Sequence, residues 1–139
     1  MSKRKKYEPV LIFHMVDWHI ALELAPKGGA VYLLTFPDGK QYVGQTTQLE
    51  KRMRGHAKFG AFTARDREIK TFSQVQQAIA CAGVDNVRVD ILEWNIRHKK
   101  LLVPKERAWI LKLETLAPNG RNTDLPHSQA CLSYMDSDL

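Results

Sequence analysis

Ala30-Val31-Tyr32-Leu33-Leu34-Thr35-Phe36, Pro37-Asp38-Gly39, Lys40-Gln41-Tyr42-Val43-Gly44: the reading of this stretch decides the fold. Its flanks are rich in Val, Leu, Tyr and Phe, and Asp38-Gly39 is the dipeptide type that most strongly marks a tight turn, so the two flanks are predicted to pair as one antiparallel hairpin. Tyr32 and Tyr42 then fall roughly across from each other, where two phenols form a usable acid/base or hydrogen-bonding pair, or else an ordinary pair of packed cross-strand aromatics. Immediately downstream, Gln48 to His56 reads as a short charged helix. Leu49, Met53 and His56 share one of its faces, and Arg52 and His56 stand at i, i+4. Arg52 alone is an exposed helix residue, and His56 on an apolar stripe is equally a satisfied, half-buried histidine.

Outward from the hairpin, Lys6 to Ala25 reads as a short apolar strand or helix turn followed by a helix from about Val16 to Leu24, packed outside the core and broken by Pro26-Lys27-Gly28-Gly29. Gly60 to Arg67 is a polar, basic loop. A further helix is expected after Thr71 or Ser73 as N-cap, with Val75, Ala78, Ile79 and Ala82 as its buried stripe and Gly83 at its C-terminal end. Val87-Arg88-Val89-Asp90-Ile91-Leu92 alternates apolar and charged residues and supplies a third strand. Pro104 opens a last helix through Leu116, closed by Pro118-Asn119-Gly120. The expected architecture is α+β, a small three-stranded antiparallel sheet flanked by helices, with an N-terminal extension. Residues 1–27 form a basic arm and extension, 28–123 the domain, and 124–139 a loosely packed tail.

A chain of 139 residues suits a single core, and 44% hydrophobic with 26% charged residues is an ordinary globular composition. No apolar run approaches the roughly 20 residues needed to cross a bilayer, and no signal-peptide region follows the basic start, so an intracellular, cytoplasmic protein without a membrane partner is expected. Cys81 and Cys131 show neither metal-ligand spacing nor a disulfide framework. The net charge of +6 points to a polyanionic partner. Lys3, Arg4, Lys5 and Lys6 form a phosphate-contacting arm, a localisation signal or a solubilising tip. Lys51, Arg54 and Lys58, with Arg65 and Arg67, cluster around the short helix, and Arg97-His98-Lys99-Lys100 follow the third strand; charge concentrated there favours a nucleic-acid groove.

Glu106 stands on the same helical side as Trp109, Ile110 and Leu113. A carboxylate on an apolar stripe is costly unless it is paired or bound to a cation. Alternatively it complements the helix dipole, or pairs with Lys105 or Arg107 on the surface.

Ala30-Val31-Tyr32 and Tyr42-Val43-Gly44 resemble the paired tripeptides that give the GIY-YIG nuclease family its name. The likeness continues with Arg52, ten residues after Tyr42, with His56 four residues later as in many homing-endonuclease members, and with Glu106 three residues before Trp109. Pro118-Asn119-Gly120-Arg121-Asn122 resembles the asparagine-bearing segment that ends the motif series. Two departures stand out: Ala30 replaces the usual glycine, which a strand accepts, and Gln45 occupies a position where some excision-repair members carry lysine, so no lysine role transfers.

The resemblance implies an endonuclease that hydrolyses DNA phosphodiester bonds with Mg²⁺, or Mn²⁺ in its place, held by Glu106. It assigns Tyr32 as general base or its partner, Tyr42 to orienting water or phosphate, and Arg52 to the transition-state charge. It gives His56 proton transfer or a phosphate contact, and Asn122 a positioning role. It leaves RNA open as a substrate. Since 139 residues leave no room for a separate DNA-reading domain, specificity is expected from the N-terminal 27 residues, loops, a homodimer or a protein partner, the last two also serving double-strand cleavage, or else to be slight. The competing class is a catalytically silent or partner-dependent nucleic-acid-binding module of the same fold.

Overall fold

The structure, a computed structural model, describes residues 7–61, 73–123 and 125. Lys3, Arg4, Lys5, Lys6, Arg65, Arg67 and most of the expected tail lie outside the described residues. The chain is an antiparallel sheet with helices on both faces. Its elements run β1 (Leu11–His14), α1 (Trp18–Ala21), β2 (Gly29–Thr35), β3 (Gln41–Thr46), α2 (Leu49–Lys58), α3 (Gln74–Ala82), β4 (Arg88–Ile96) and α4 (Leu102–Leu113). The sheet order is β1-β4-β2-β3.

The sheet therefore has four strands where three were expected. The additional one is β1, from the extension that was expected to pack outside the core. It pairs Leu11 with Ile91 and Phe13 with Val89, and it is continued at both ends by Val10 N–H to Ile91 O and Met15 N–H to Val87 O, each 2.8 Å. Without it, the outer edge of β4 would present unpaired backbone groups. Four residues are too few for periodicity to separate a strand from a helical turn. The expected helix over 16–24 is correspondingly short: a 3-10 turn at Met15–Asp17 leads into α1, and Ile20 and Leu24 are exposed, so that pattern does not record a buried face.

The hairpin forms where expected, with its register shifted. Phe36 N–H donates to Lys40 O at 3.0 Å, closing a loop of Pro37, Asp38 and Gly39, the last at φ +85°. This loop centres on Asp38, so Tyr32 pairs with Gly44, and Tyr42 with Leu34. The two tyrosines are diagonal neighbours on one face rather than opposite each other, with ring centroids 6.5 Å apart.

That face carries Tyr32, Leu34, Val89, Ile91 and Phe13, covered by Leu49 and Met53 of α2 and Ile79 of α3. The other carries Val31, Leu33, Val43, Leu92 and Ile96, covered by Leu102 and Ile110 of α4. The α2 stripe of Leu49, Met53 and His56 is buried as its spacing requires. Ser73 caps α3 in a capping box with Gln76, and Gly83 ends it at φ +84°. α4 begins two residues before Pro104 and ends at Leu113, where Glu114 turns left-handed at φ +54°. Pro104 fits because the first-turn N–H groups lack helical partners in any case. Of its apolar residues Leu102 and Ile110 are buried, Trp109 and Leu113 partly so, and Ala108 and Leu111 are exposed. No described helix is long and apolar enough to cross a membrane.

Met15 has no solvent exposure, whereas its neighbour Val16 is 45% exposed. Met15→Ala is expected to cost about 2–5 kcal/mol, against about 0.5 kcal/mol or less for Val16→Ala, read from urea unfolding midpoints. Equal small losses would show that the residues before β2 are not part of the core.

Candidate active site

Tyr32 projects from the middle of β2 beneath α2 and is fully buried. Its ring lies over Gly44: a Cβ added there would overlap the Tyr32 Cζ and hydroxyl. Glycine in Tyr42-Val43-Gly44 is thus a packing requirement. The Tyr32 hydroxyl is 2.8 Å from His56 Nε2, and the two rings meet edge to face with centroids 5.7 Å apart. Helical spacing brings His56 down on this side of α2 while leaving Arg52, one turn earlier, at the surface.

Arg52, Tyr42 and Glu106 complete the group. Burial raises the Tyr32 pKa far above the ordinary phenol value; Tyr42 and Glu106 add to the rise, and Arg52, within hydrogen-bonding reach of the hydroxyl, opposes it. Burial, then Glu106, raises Tyr42, again opposed by Arg52. Burial lowers His56 to about 4, with Arg52 contributing, so the imidazole is neutral at pH 7. Burial raises Glu106 to about 7 against the pull of Arg52. Five side chains from β2, β3, α2 and α4 therefore sense one another, with Arg52 common to all. The Arg52–His56 side of α2 lines an open cleft of about 460 Å³ together with Thr46, Gln48, Lys51 and Lys58.

Glu106 is half-buried in α4, past its first turn. Pairing with Lys105 does not explain it, because Lys105 Nζ lies 2.8 Å from Glu93 Oε1. Among the described residues no three His, Cys, Asp or Glu side chains gather as a metal cluster. A lone carboxylate raised by burial, with no side-chain hydrogen-bond donor among the described residues, still suits a hard cation that takes its remaining ligands from water and phosphate.

Asn122 sits apart from this chemistry. Its Oδ1 accepts from Val43 N–H at 2.8 Å and from Thr115 Oγ1 at 2.7 Å, and its Nδ2 donates to Val43 O at 2.9 Å. The carboxamide thus stands in for a further strand, satisfying both backbone groups of the residue between Tyr42 and Gly44. Thr115 was missed by the sequence reading; buried polar threonines at helix ends carry no pattern of their own, and only its spacing to Asn122 hints at the contact. Lys51, Arg54 and Lys58 are exposed on α2, and Lys3, Arg4, Lys5 and Lys6 lie outside the described residues.

The site thus gathers a buried tyrosine-histidine pair, an exposed arginine and a half-buried carboxylate on one antiparallel sheet. The family model of the GIY-YIG catalytic domain matches residues 28–122. The chain belongs to this nuclease family. Among solved structures it is similar to the catalytic domain of the homing endonuclease I-TevI, at 24% identity and a TM-score of 0.51, covering 69% of this chain and 98% of that one, a likeness of fold. No curated protein matches the chain.

Gly44→Ala is expected to cost about 1–3 kcal/mol by overpacking and to displace the Tyr32 hydroxyl from His56. Melting temperature and the ¹⁵N shifts of the His56 ring check both effects; an unperturbed ring would show that Tyr32 yields without moving its hydroxyl.

His56 is depressed in the fold, so protonation favours the unfolded chain, and stability falls as pH drops below the ordinary histidine value of 6.5 toward 4. Glu106, raised to about 7 from 4.5, acts oppositely, losing stability as pH rises through that window. Its contribution cancels when wild type is compared with His56→Gln. The loss between pH 7 and pH 5 is expected to be about 1–2 kcal/mol larger in wild type, read from urea midpoints; equal losses would show that His56 is not held neutral.

Proposed function

We propose that the chain is a Mg²⁺-dependent endonuclease that hydrolyses phosphodiester bonds of DNA. The observation that carries this reading is the 2.8 Å contact between the Tyr32 hydroxyl and His56 Nε2, set among Arg52, Tyr42 and Glu106. A phenol buried this way stays protonated, so it acts as a base only by passing its proton on. In the tautomer with Nε2 bare, the neutral His56 ring receives that proton while the Tyr32 oxygen takes one from the attacking water. Arg52, exposed on α2, meets the phosphate and neutralises charge developing on its equatorial oxygens. Tyr42, diagonal to Tyr32 on the same face, orients the water or the phosphate. Glu106 would hold Mg²⁺, which when bound polarises the phosphate and stabilises the leaving oxygen.

Asn122 acts through the backbone: it fixes Val43 and with it the positions of Tyr42 and Gly44. Lys51, Arg54 and Lys58 stand at i, i+3 and i+7 on the exposed side of α2, a stripe suited to a phosphate backbone, which Lys3, Arg4, Lys5 and Lys6 would extend. DNA as the substrate is supported by the similar catalytic domain, that of a homing endonuclease.

Supercoiled plasmid with Mg²⁺ or Mn²⁺ is expected to be nicked or linearised, and EDTA is expected to abolish this. Tyr32→Phe keeps the ring over Gly44 and is expected to slow single-turnover cleavage by about 10²-fold or more, the scale of a lost acid/base group. Glu106→Gln is expected to abolish cleavage with DNA affinity unchanged or higher. Intact plasmid with bound protein would favour the silent binding module, and wild-type rates in either variant would remove that residue from the mechanism.

A further inference from the structure

We propose that a second cleft, on the other side of α2 from Arg52 and His56, seats the nucleotide adjoining the scissile phosphate. The inference rests on the nuclease reading and deepens it. The cleft holds about 420 Å³ between the first turns of α2 and the segment entering β2. That size lies in the roughly 300–1,000 Å³ range of small-ligand sites. Its floor is apolar, made by the buried Leu22 and Leu49 with the partly buried Ala25 and Pro26. Its rim carries three exposed cations, Lys27, Lys51 and Arg54, against the single carboxylate of Glu50.

An apolar floor beneath a cationic rim matches a planar base joined to a phosphate. A free inorganic anion would use the rim and gain nothing from the floor, while an apolar molecule would leave the cations without partners. The two clefts also adjoin: Thr47, Gln48 and Lys51 line both. Helical geometry explains the division, since each residue along α2 turns about 100° from the last. Arg52 faces the catalytic cleft, Arg54 the second, and Lys51 the saddle between them. A strand whose scissile phosphate meets Arg52 therefore crosses α2 at Lys51 and delivers its next nucleotide over Leu49. Gln48 and Thr47, at the saddle, offer hydrogen-bonding groups to the edge of that base.

The test is an NMR titration of ¹⁵N-labelled protein with thymidine 5′-monophosphate and, separately, with inorganic phosphate at low salt. The nucleotide is expected to shift the amides of Lys27, Gly28 and Leu49, and phosphate at equal concentration to shift them far less. Lys27→Ala with Arg54→Ala, both changes at exposed side chains, is expected to weaken the nucleotide about tenfold, the scale of losing charge-assisted contacts. Ala25→Trp, which fills the floor, is expected to abolish the response. Equal shifts from phosphate, shifts confined to the Arg52–His56 side, or undiminished binding in the double-alanine protein would overturn the proposal. Plasmid cleavage by wild type, run in parallel, separates the two readings: cleavage without nucleotide binding in the cleft sinks only this inference, whereas binding there without cleavage overturns the nuclease reading and with it the place beside a scissile phosphate, leaving a nucleotide cleft alone.

Discussion

The placement of the Tyr32 phenol constrains everything around it. Its ring needs the empty space over Gly44, its hydroxyl needs His56 Nε2, and β2 holds its backbone at the centre of the sheet between β3 and β4. Each requirement reaches a different part of the chain. The first demands glycine across the hairpin, the second demands a helix directly after β3, and the third demands β4, which arrives from the far end of the domain. Burial this complete makes the phenol a poor acid, which leaves a neutral proton acceptor beside it as the chemically useful neighbour. His56 is that neighbour because the same burial removes its own charge.

The face that carries Tyr32 and Tyr42 lies beside an edge strand, which is a structural liability. β3 pairs only with β2, and its outer backbone groups would otherwise be open to water or to another chain. At the residue between Tyr42 and Gly44 the carboxamide of Asn122 occupies both groups, and Thr115 fixes the carboxamide. The segment after α4 thus returns to stiffen the strand that carries one tyrosine and makes room for the other. Both backbone groups of Val43 are thereby closed to pairing with another chain.

Much of this was legible in the sequence, for reasons that differ from residue to residue. Asp38-Gly39 and the flanking apolar runs fix the hairpin locally, and the 3.6-residue period of Leu49, Met53 and His56 fixes the buried side of α2. The exact partner of Tyr32 depends on whether the loop has two or three residues, which composition does not settle, so the tyrosines emerge diagonal. β1 is too short to show a period, and its strand character comes from the open edge of β4, a tertiary fact. α4 starts before Pro104 because a proline in the first turn removes no helical hydrogen bond. The Asn122 clamp was legible as a motif position but not as a clamp, since its partners are the backbone of a strand 79 residues earlier.

The charge state of the site follows from the same burial. At pH 7 the His56 ring is neutral and Glu106 is near its midpoint, so Arg52 dominates the field around the two tyrosines. A phosphate diester approaching this centre meets a net positive site rather than a fixed carboxylate, which lowers the repulsion that an acidic metal ligand would otherwise impose. A divalent cation would reverse the bias at Glu106, because stabilising the carboxylate shifts its ionisation below neutrality and releases a proton. Below about pH 7 a proton and such a cation would compete for the same oxygens, so the proposed occupancy would depend on pH in that range. On the proposed reading, the half-buried position of Glu106 would suit both substrate approach and cation capture: fully exposed, it would stay charged and repel a phosphate backbone.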